Sequence, residues 1–211
     1  MLQLINSPGS VSVSRYTIFT TPVLKIFLRI IALILLKTLR WKAVGPLPEQ
    51  NKYIIIVAPH TSNWDVLYGF ILAFTLKLDA RFLAKKELFR WPFAPIIRWI
   101  GGIATDRSSH DNVVDKIVKI FNENERFVLA IAPEGTRHKV DYWKSGFYYI
   151  AKEANIPIVL AFIDYGTKTG GAGPLLYPSA DINKDMIIIR NFYLNKKGKN
   201  KDQTSPAAIH T

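Results

Sequence analysis

The sequence predicts a single α/β domain, in which helices cover a central mixed sheet, together with a hydrophobic helix near the N-terminus. Three observations lead to this fold class. The length of 211 residues suits one domain with a short appended segment. The hydrophobic content of 49% is enough for a well-buried core. After residue 48, short apolar runs alternate with helical patterns, which is typical of a sheet packed between helices.

The first predicted element is a helix over residues 23–41, preceded by a polar leader at residues 1–16. About 19 helical residues extend roughly 28 Å, nominally enough to cross a bilayer. Charges at Lys25 and Arg29 interrupt the apolar run, however, and a charge near mid-bilayer costs at least about 2.5 kcal/mol. We therefore expect residues 17–45 to lie in one leaflet, and a spanning helix is the alternative. The predicted membrane contacts are Lys25, Arg29, Leu33, Leu36 and Trp41.

Further along the chain, strands and helices are predicted in alternation. Short runs of apolar, mostly β-branched or aromatic residues predict strands at 53–58, 81–85, 103–105, 127–132, 156–162, 175–177 and 186–192. Helical spacing of apolar residues predicts helices at 64–76, 87–100, 111–125 and 143–154. Residues 195–211 form a polar basic tail that we expect to be frayed.

Composition excludes several kinds of site. The chain contains no cysteine, which excludes disulfides, thiolate metal sites and a cysteine nucleophile. Its four histidines have no metal-ligand spacing, so we expect no metal. The net charge of +12 implies an anionic partner. Residues 1–48 hold no acid and are the most apolar part of the chain, which favours lipid over nucleic acid.

The strongest candidate for catalysis is the segment 58–65, which leaves a predicted buried strand and opens a helix. Ligands bind at this end of the strands in α/β sheets. His60 and Asp65 are five residues apart, so one turn of loop and one of helix can bring the carboxylate to the imidazole Nδ1. The histidine would then hold Nε2 free as a proton acceptor. The alternative is a capped helix start with a structural histidine.

Three further segments could bind an anion. Residues 131–137 follow a strand and combine a glycine turn with a hydroxyl and an arginine. Residues 101–107 end in Asp106-Arg107, and residues 82–88 contain Lys85-Lys86. Taken singly, each of these could be a structural ion pair or a solvated charged turn.

Three of these segments, together with the predicted strand that begins Ile156-Pro157-Ile158-Val159, resemble in their order the lysophosphatidate/glycerolipid acyltransferase family. The segment Ala84-Lys85-Lys86-Glu87-Leu88 also resembles the stretch between the first two motifs of that family. The order is His-x4-Asp, Gly-x-Ile-x-x-Asp-Arg, Pro-Glu-Gly-Thr-Arg and Ile-Pro-Ile-Val, spread over residues 53–163. Pro59, Ala132 and His138 depart from the family pattern and indicate a divergent branch. The resemblance implies that residues 46–194 form the acyltransferase domain.

The resemblance also implies roles for individual residues. His60 would be the general base and Asp65 its orienting partner. The phosphate end of the acceptor would be bound by Lys85, Arg107, Glu134, Gly135, Thr136 and Arg137. The vicinity of the acyl donor would be formed by Gly101, Ile103 and Pro157.

The implied reaction is direct acyl transfer from acyl-CoA or acyl carrier protein to a lyso-lipid, most simply lysophosphatidate to phosphatidate. It requires no cofactor, and its partners are membrane lipids and the acyl carrier rather than nucleic acid. We expect the protein at the cytoplasmic face of the cell membrane, in an oligomeric state that the sequence leaves open. The alternatives are another lyso-lipid acceptor, a thioesterase in which His60 and Asp65 activate water, and a non-catalytic basic membrane-binding protein.

Overall fold

A computed structural model describes residues 16–105, 113–179 and 181–210. Within these residues the strands are β1 (Lys42–Val44), β2 (Lys52–Ala58), β3 (Arg81–Lys85), β4 (Gly102–Thr105), β5 (Phe127–Ile131), β6 (Ile158–Asp164) and β7 (Thr169–Leu176). The helices are α1 (Leu24–Leu39), α2 (Trp64–Leu76), α3 (Ala94–Trp99), α4 (Val113–Glu123), α5 (Gly146–Glu153) and α6 (Ile182–Tyr193), with 3₁₀ turns at Lys86–Phe89 and Lys201–Gln203.

The strands form one mixed sheet in the order β1-β7-β6-β2-β5-β3-β4. Strands β2 to β6 are mutually parallel, whereas β7 pairs antiparallel with β6 and β1 pairs parallel with β7. The carboxyl ends of β2, β3, β4, β5 and β6 therefore lie along one edge of the sheet, which we call the carboxyl edge. The predicted mixed sheet is confirmed.

Side chains alternate between the two faces of the central strand β2, as the period of two along a strand requires. Ile54 and Ile56 belong to the core under α4, α5 and α6, together with Phe121 and Phe147. Tyr53 and its neighbours on the same side belong to a second apolar cluster on the other face. Both faces of the sheet are thus covered.

Most of the predicted elements form at the expected positions, but the strand predicted at 186–192 is wrong. These residues belong to α6, whose first turn is capped by the Asp181 carboxylate, which accepts hydrogen bonds from the backbone N–H groups of Asn183 and Lys184 at 3.0 and 3.3 Å. Met186 and Ile189 are buried at helical spacing. The cap and this packing outweigh the strand propensity of the isoleucine run.

The predicted N-terminal helix forms, but not all of its predicted lipid contacts are exposed. Ala32 and Leu36 are buried in the cluster that joins α1 to α2, Arg29 is half-buried, and Lys25 is exposed. Leu36 and the following Trp41 are only 5% and 6% exposed, so the prediction that they contact lipid is wrong. No helix in the described ranges combines the length and apolarity needed to cross a membrane.

The C-terminal tail is packed, which contradicts the expectation of fraying. Its backbone pairs with the body of the protein through an isolated bridge between Trp143 and Ile209. Ser205 and Ala207 are buried. The polar composition misled the prediction, because the hydrogen-bonding groups of this segment are satisfied by the rest of the fold.

The alternation of burial along α6 gives a matched pair of variants. Ile189 is fully buried beneath the sheet, whereas the adjacent Ile188 is half exposed. Ile189→Ala should lower the free energy of unfolding by about 2–5 kcal/mol because it leaves a cavity. Ile188→Ala should change it by no more than about 0.5 kcal/mol. Urea denaturation followed by circular dichroism measures both, and equal losses would contradict the assigned orientation of α6.

Candidate functional site

The candidate site lies at the carboxyl edge, where the neighbouring strands β2 and β5 end. His60 follows β2, Asp65 lies in the first turn of α2, and Glu134 follows β5. Because β2 and β5 are adjacent and parallel, the segments that follow them come into contact. The first and third of the sequence motifs, which are about 70 residues apart in the chain, therefore form one site.

His60 and Asp65 form the predicted pair. The imidazole Nδ1 lies 3.1 Å from Asp65 Oδ2. An ionised carboxylate can only accept, so Nδ1 carries the proton and Nε2 holds a free lone pair. The His60 side chain is 18% exposed, and among the described residues none forms a hydrogen bond with Nε2. This nitrogen is thus available to take a proton from a bound molecule.

The Asp65 carboxylate is buried and fully engaged. Oδ2 also accepts the backbone N–H groups of Thr61 and Ser62 at 2.8 and 2.9 Å, so the side chain binds the loop that precedes its own helix. Burial by itself would raise the pKa of Asp65, but hydrogen bonds from His60, Tyr165 and Ser62 outweigh it and hold the pKa below its ordinary value. The carboxylate therefore remains charged and keeps the imidazole oriented.

The Glu134 side chain binds the backbone of His60. Its Oε2 accepts the His60 N–H at 2.8 Å, and its side chain is only 3% exposed. The resemblance placed Glu134 among the phosphate-binding residues, but the carboxylate points inward and connects the turn after β5 to the loop after β2. Burial, together with the nearby charge of Asp65, raises the pKa of Glu134 to about 7. Its Oε1 is buried without a hydrogen-bond partner among the described residues.

Tyr165 completes the site and was missed by the sequence analysis. It follows β6, the other neighbour of β2, and its hydroxyl donates to Asp65 Oδ1 at 2.8 Å. Its ring is held by Trp41 and Tyr68, whose centroids lie 5.1 and 5.5 Å away. Burial and the charge of Asp65 raise the pKa of Tyr165 far above its ordinary value, so it remains a donor. The one available signal was its position at the carboxyl end of a strand.

The packed C-terminal segment forms hydrogen bonds with the loop that contains His60. Asn200 donates through its side-chain amide to the Thr61 carbonyl at 2.8 Å, and its backbone N–H donates to the Thr61 hydroxyl at 3.2 Å. Thr61 itself is 1% exposed. Because Asn200 lies far from the loop in the chain, no local pattern could have indicated this contact.

The turn after β5 offers a polar surface beside the histidine. Gly135 has φ +67°, a conformation that favours glycine, and its N–H donates to the Ala132 carbonyl at 3.0 Å. Thr136 accepts a hydrogen bond from the His138 N–H at 3.3 Å. The Arg137 side chain is exposed. This turn can therefore present a cation, the Arg137 side chain, to an anion.

The remaining predicted site residues do not lie together. Lys85 ends β3 at the carboxyl edge and is exposed. Arg107 lies outside the described residues. Gly101 precedes β4 and Pro157 precedes β6, so both lie at the opposite edge, more than about 10 Å along the strands from their carboxyl ends. Ile103 is buried in the core. The structure therefore does not bring Gly101, Ile103 or Pro157 to His60.

Nothing in the described ranges brings three histidine or acidic side chains together as metal ligands. The chemistry available at the site is that of an oriented imidazole with basic side chains beside it. Such an arrangement can remove a proton from a hydroxyl group.

Comparison with known proteins gives three findings. The family model described as Acyltransferase matches residues 41–163. The 1-acyl-sn-glycerol-3-phosphate acyltransferase of Streptococcus pneumoniae (strain ATCC BAA-255 / R6) is 34% identical over 116 residues, which are 54% of this chain and 42% of that protein. The chain thus matches less than half the length of this relative.

The third finding concerns the fold. The crystal structure of the 1-acyl-sn-glycerophosphate (LPA) acyltransferase PlsC from Thermotoga maritima matches with a TM-score of 0.57. The two chains are 17% identical, and the match covers 80% of this chain and 76% of that chain. At this identity the match shows a shared α/β architecture.

The raised pKa of Glu134 predicts a pH-dependent stability. The carboxyl titrates near 4.5 in the unfolded chain and near 7 in the folded one, so the folded state binds more protons in this window. Stability should fall as pH rises through it, by up to about 1.4 kcal/mol per unit. Glu134→Gln keeps an acceptor for the His60 N–H but cannot ionise. As the pH rises from 5 to 7, the free energy of unfolding of the Glu134→Gln variant should therefore increase relative to that of the unmodified protein.

Urea denaturation at several pH values measures this difference. The matched control is Glu153→Gln, at an exposed position near the end of α5. The free energy of unfolding of this variant should change with pH in the same way as that of the unmodified protein. A constant difference between the Glu134→Gln variant and the unmodified protein would show that Glu134 is ionised throughout.

Proposed function

The chain belongs to the acyltransferase family, and from this premise we propose that it transfers an acyl chain from a thioester to the free hydroxyl of a lyso-glycerolipid, with lysophosphatidate as acceptor. The observation that carries the proposal is the contact of 3.1 Å between His60 Nδ1 and Asp65 Oδ2 at the carboxyl edge. It leaves Nε2 as the proton acceptor of the site.

His60 would act as general base. The hydroxyl group of a lyso-lipid has a pKa far above 7, so its attack on a carbonyl requires simultaneous removal of the proton. Nε2 takes that proton while the oxygen bonds to the thioester carbon, and the proton then passes to the departing sulfur as the C–S bond breaks. A positioned base contributes about 10²–10⁴-fold to such a step. The ionised Asp65 stabilises the imidazolium that forms between the two events.

We propose acyl-CoA or acyl carrier protein as the donor, with direct transfer to the acceptor. The chain has no cysteine to form a thioester intermediate, and it has no Gly-x-Ser-x-Gly segment. A thioester is reactive enough for direct attack, so both substrates would be bound at the same time.

The acceptor's phosphate group would lie against the basic residues of the carboxyl edge. Arg137 and Lys85 are exposed there, and Arg137 follows the turn that contacts the histidine loop through Glu134. An arginine can offer two parallel hydrogen bonds to a phosphate. Arg107, which lies outside the described residues, is proposed for the same role on the motif alone.

Helix α1 would hold the protein on one leaflet, at the cytoplasmic face of the membrane. Its outward face carries a continuous set of apolar side chains, each about half exposed: Ile26, Phe27, Ile30, Leu33 and Ile34. An apolar surface of this extent is typical of an interaction site. In this arrangement Leu33 retains its proposed lipid contact, whereas the half-buried Arg29 belongs to the inner face.

The purified protein should convert lysophosphatidate and a labelled acyl thioester to phosphatidate. His60→Ala should abolish product, and Asp65→Asn should lower kcat by about 10⁴-fold by favouring the wrong tautomer. His210→Ala, at an exposed histidine that stacks on Tyr142, serves as the control and should retain activity. Thermal unfolding verifies that each variant is folded. Turnover by the folded His60→Ala variant would overturn the mechanism, and release of free acid alone would indicate a thioesterase.

Arg137 should contribute specifically to the acceptor. A charged hydrogen-bonded contact is worth about 1.5–3 kcal/mol, so Arg137→Ala should lower kcat/KM for lysophosphatidate by roughly 10–150-fold. Arg137→Lys should restore part of this, and the KM of the donor should not change. Arg126→Ala, at the opposite end of β5, is the control. If Arg137→Ala loses equal activity on a monoacylglycerol without phosphate, the phosphate assignment is wrong.

A further inference from the structure

We propose that the connection between β3 and β4, residues 86–101, is a second surface that inserts into an anionic lipid bilayer and seats the carboxyl edge on it. We call this segment the β3–β4 crossover. The inference rests on the proposed function for the presence of a lipid acceptor, but its physical basis and its test are separate from the reaction.

The β3–β4 crossover exposes large apolar side chains that the fold does not use. Trp91 is 88% exposed, Phe93 62%, Ile96 55% and Leu88 51%. Of the exposed large apolar side chains in the described ranges, Trp91 is the most exposed. In α3 only Ala94 is buried. Tryptophan is the side chain most typical of a membrane–water boundary, because it combines a large apolar ring with a polar N–H group.

These side chains project from an ordered backbone. The N–H groups of Phe93 and Ala94 both donate to the Arg90 carbonyl, at 2.9 and 3.0 Å. At the other end, the Trp99 carbonyl accepts the Ile18 N–H at 2.8 Å. The apolar side chains are therefore held outward by a formed turn and helix.

The β3–β4 crossover is joined to the segment that leads into α1. In addition to the Ile18 contact, Trp99 Nε1 donates to the Thr21 hydroxyl at 3.2 Å. Helix α1 begins at Leu24, and its first turns expose Ile26 and Phe27. The crossover and the start of α1 are thus held together at Trp99.

The charges around these side chains suit an anionic surface. Lys85, Arg90 and Arg98 are exposed, and Glu87 is the one acid in the sequence from residue 81 to residue 105. Arg98 lies over the ring of Phe89, with 5.8 Å between its Cζ and the ring centroid. Long basic side chains beside exposed aromatic rings can reach phosphate groups while the rings enter the acyl region. A lipid surface is favoured over an acidic protein because the most exposed side chains are apolar.

The β3–β4 crossover begins close to the candidate site. β3 ends at the carboxyl edge two strands from β2, which is roughly 10 Å from the strand that leads into His60. The crossover begins at the same edge. Trp64, which opens α2 beside Asp65, is also half exposed. With both α1 and the crossover in the lipid, an acceptor could reach His60 without leaving the bilayer completely.

The test uses the absence of cysteine in the chain. Trp91→Cys is labelled with an environment-sensitive fluorophore and mixed with vesicles of phosphatidylglycerol and phosphatidylcholine. Phe27→Cys reports on α1. Ile187→Cys on α6 is the control, because Ile187 is 55% exposed and Phe27 is 57% exposed. We expect a blue-shifted emission and at least twofold quenching by lipid-borne nitroxide at positions 27 and 91, and neither at 187.

Three outcomes at position 91 would overturn the proposal. If the probe at position 27 is quenched and the probe at position 91 is not, α1 alone contacts the bilayer. If the emission at position 91 shifts on addition of vesicles without nitroxide quenching, the crossover does not insert into the bilayer. If it shifts on addition of acidic acyl carrier protein but not of vesicles, the surface binds protein.

The charged residues are tested separately. Replacing Arg90 and Arg98 together by glutamine should weaken partitioning into anionic vesicles by about 10–30-fold at low salt and leave binding to neutral vesicles unchanged. Equal binding to both kinds of vesicle would remove the anionic part of the proposal. None of these measurements involves acyl transfer, so their failure and that of the proposed function are distinguishable.

Discussion

The Asp65 carboxylate is buried at a place where burial alone would favour its protonated form, and four hydrogen bonds keep it ionised. These bonds come from three parts of the chain: the histidine ring, the loop before α2, and Tyr165 after β6. The orientation of the His60 imidazole, the start of α2 and the position of Tyr165 therefore depend on a single negative charge. Loss of that charge would weaken the support of all three at once, because a neutral carboxyl accepts hydrogen bonds less strongly than a carboxylate.

The direction of the strands explains why this group forms where it does. β6, β2 and β5 are adjacent and parallel, so the residues that follow them converge at one edge. Glu134 holds the backbone of His60 from one side, and Tyr165 holds Asp65 from the other. Asn200 holds the adjacent Thr61 through a hydrogen bond from its side-chain amide to the Thr61 carbonyl. The imidazole is thus oriented through supports on both of its neighbouring strands, which is the preorganisation that general-base catalysis requires.

The orientation of α1 determines which of its side chains form the outer surface. Ala32 and Leu36 face α2, and a continuous set of apolar side chains from Ile26 to Ile34 remains outside. The exposed side chains of the β3–β4 crossover extend this apolar surface towards the strand ends that carry the site. For the proposed reaction, a site at such a boundary would let the lipid acceptor stay in the bilayer while the acyl donor stays in water.

The sequence alone determined the elements and pairings that depend on neighbours in the chain. The buried strand before His60, helix α2 and the contact between His60 and Asp65 follow from local apolar runs, capping residues and a spacing of five. The tertiary structure decided what depends on distant partners: that residues 186–192 form a helix, that Leu36 and Trp41 face inward, and that Pro157 lies at the far edge. Tyr165 and Asn200 belong to this second group. Local propensities differ by only about 1 kcal/mol per residue, whereas burial against a distant element contributes more, so packing determines the outcome wherever the two disagree.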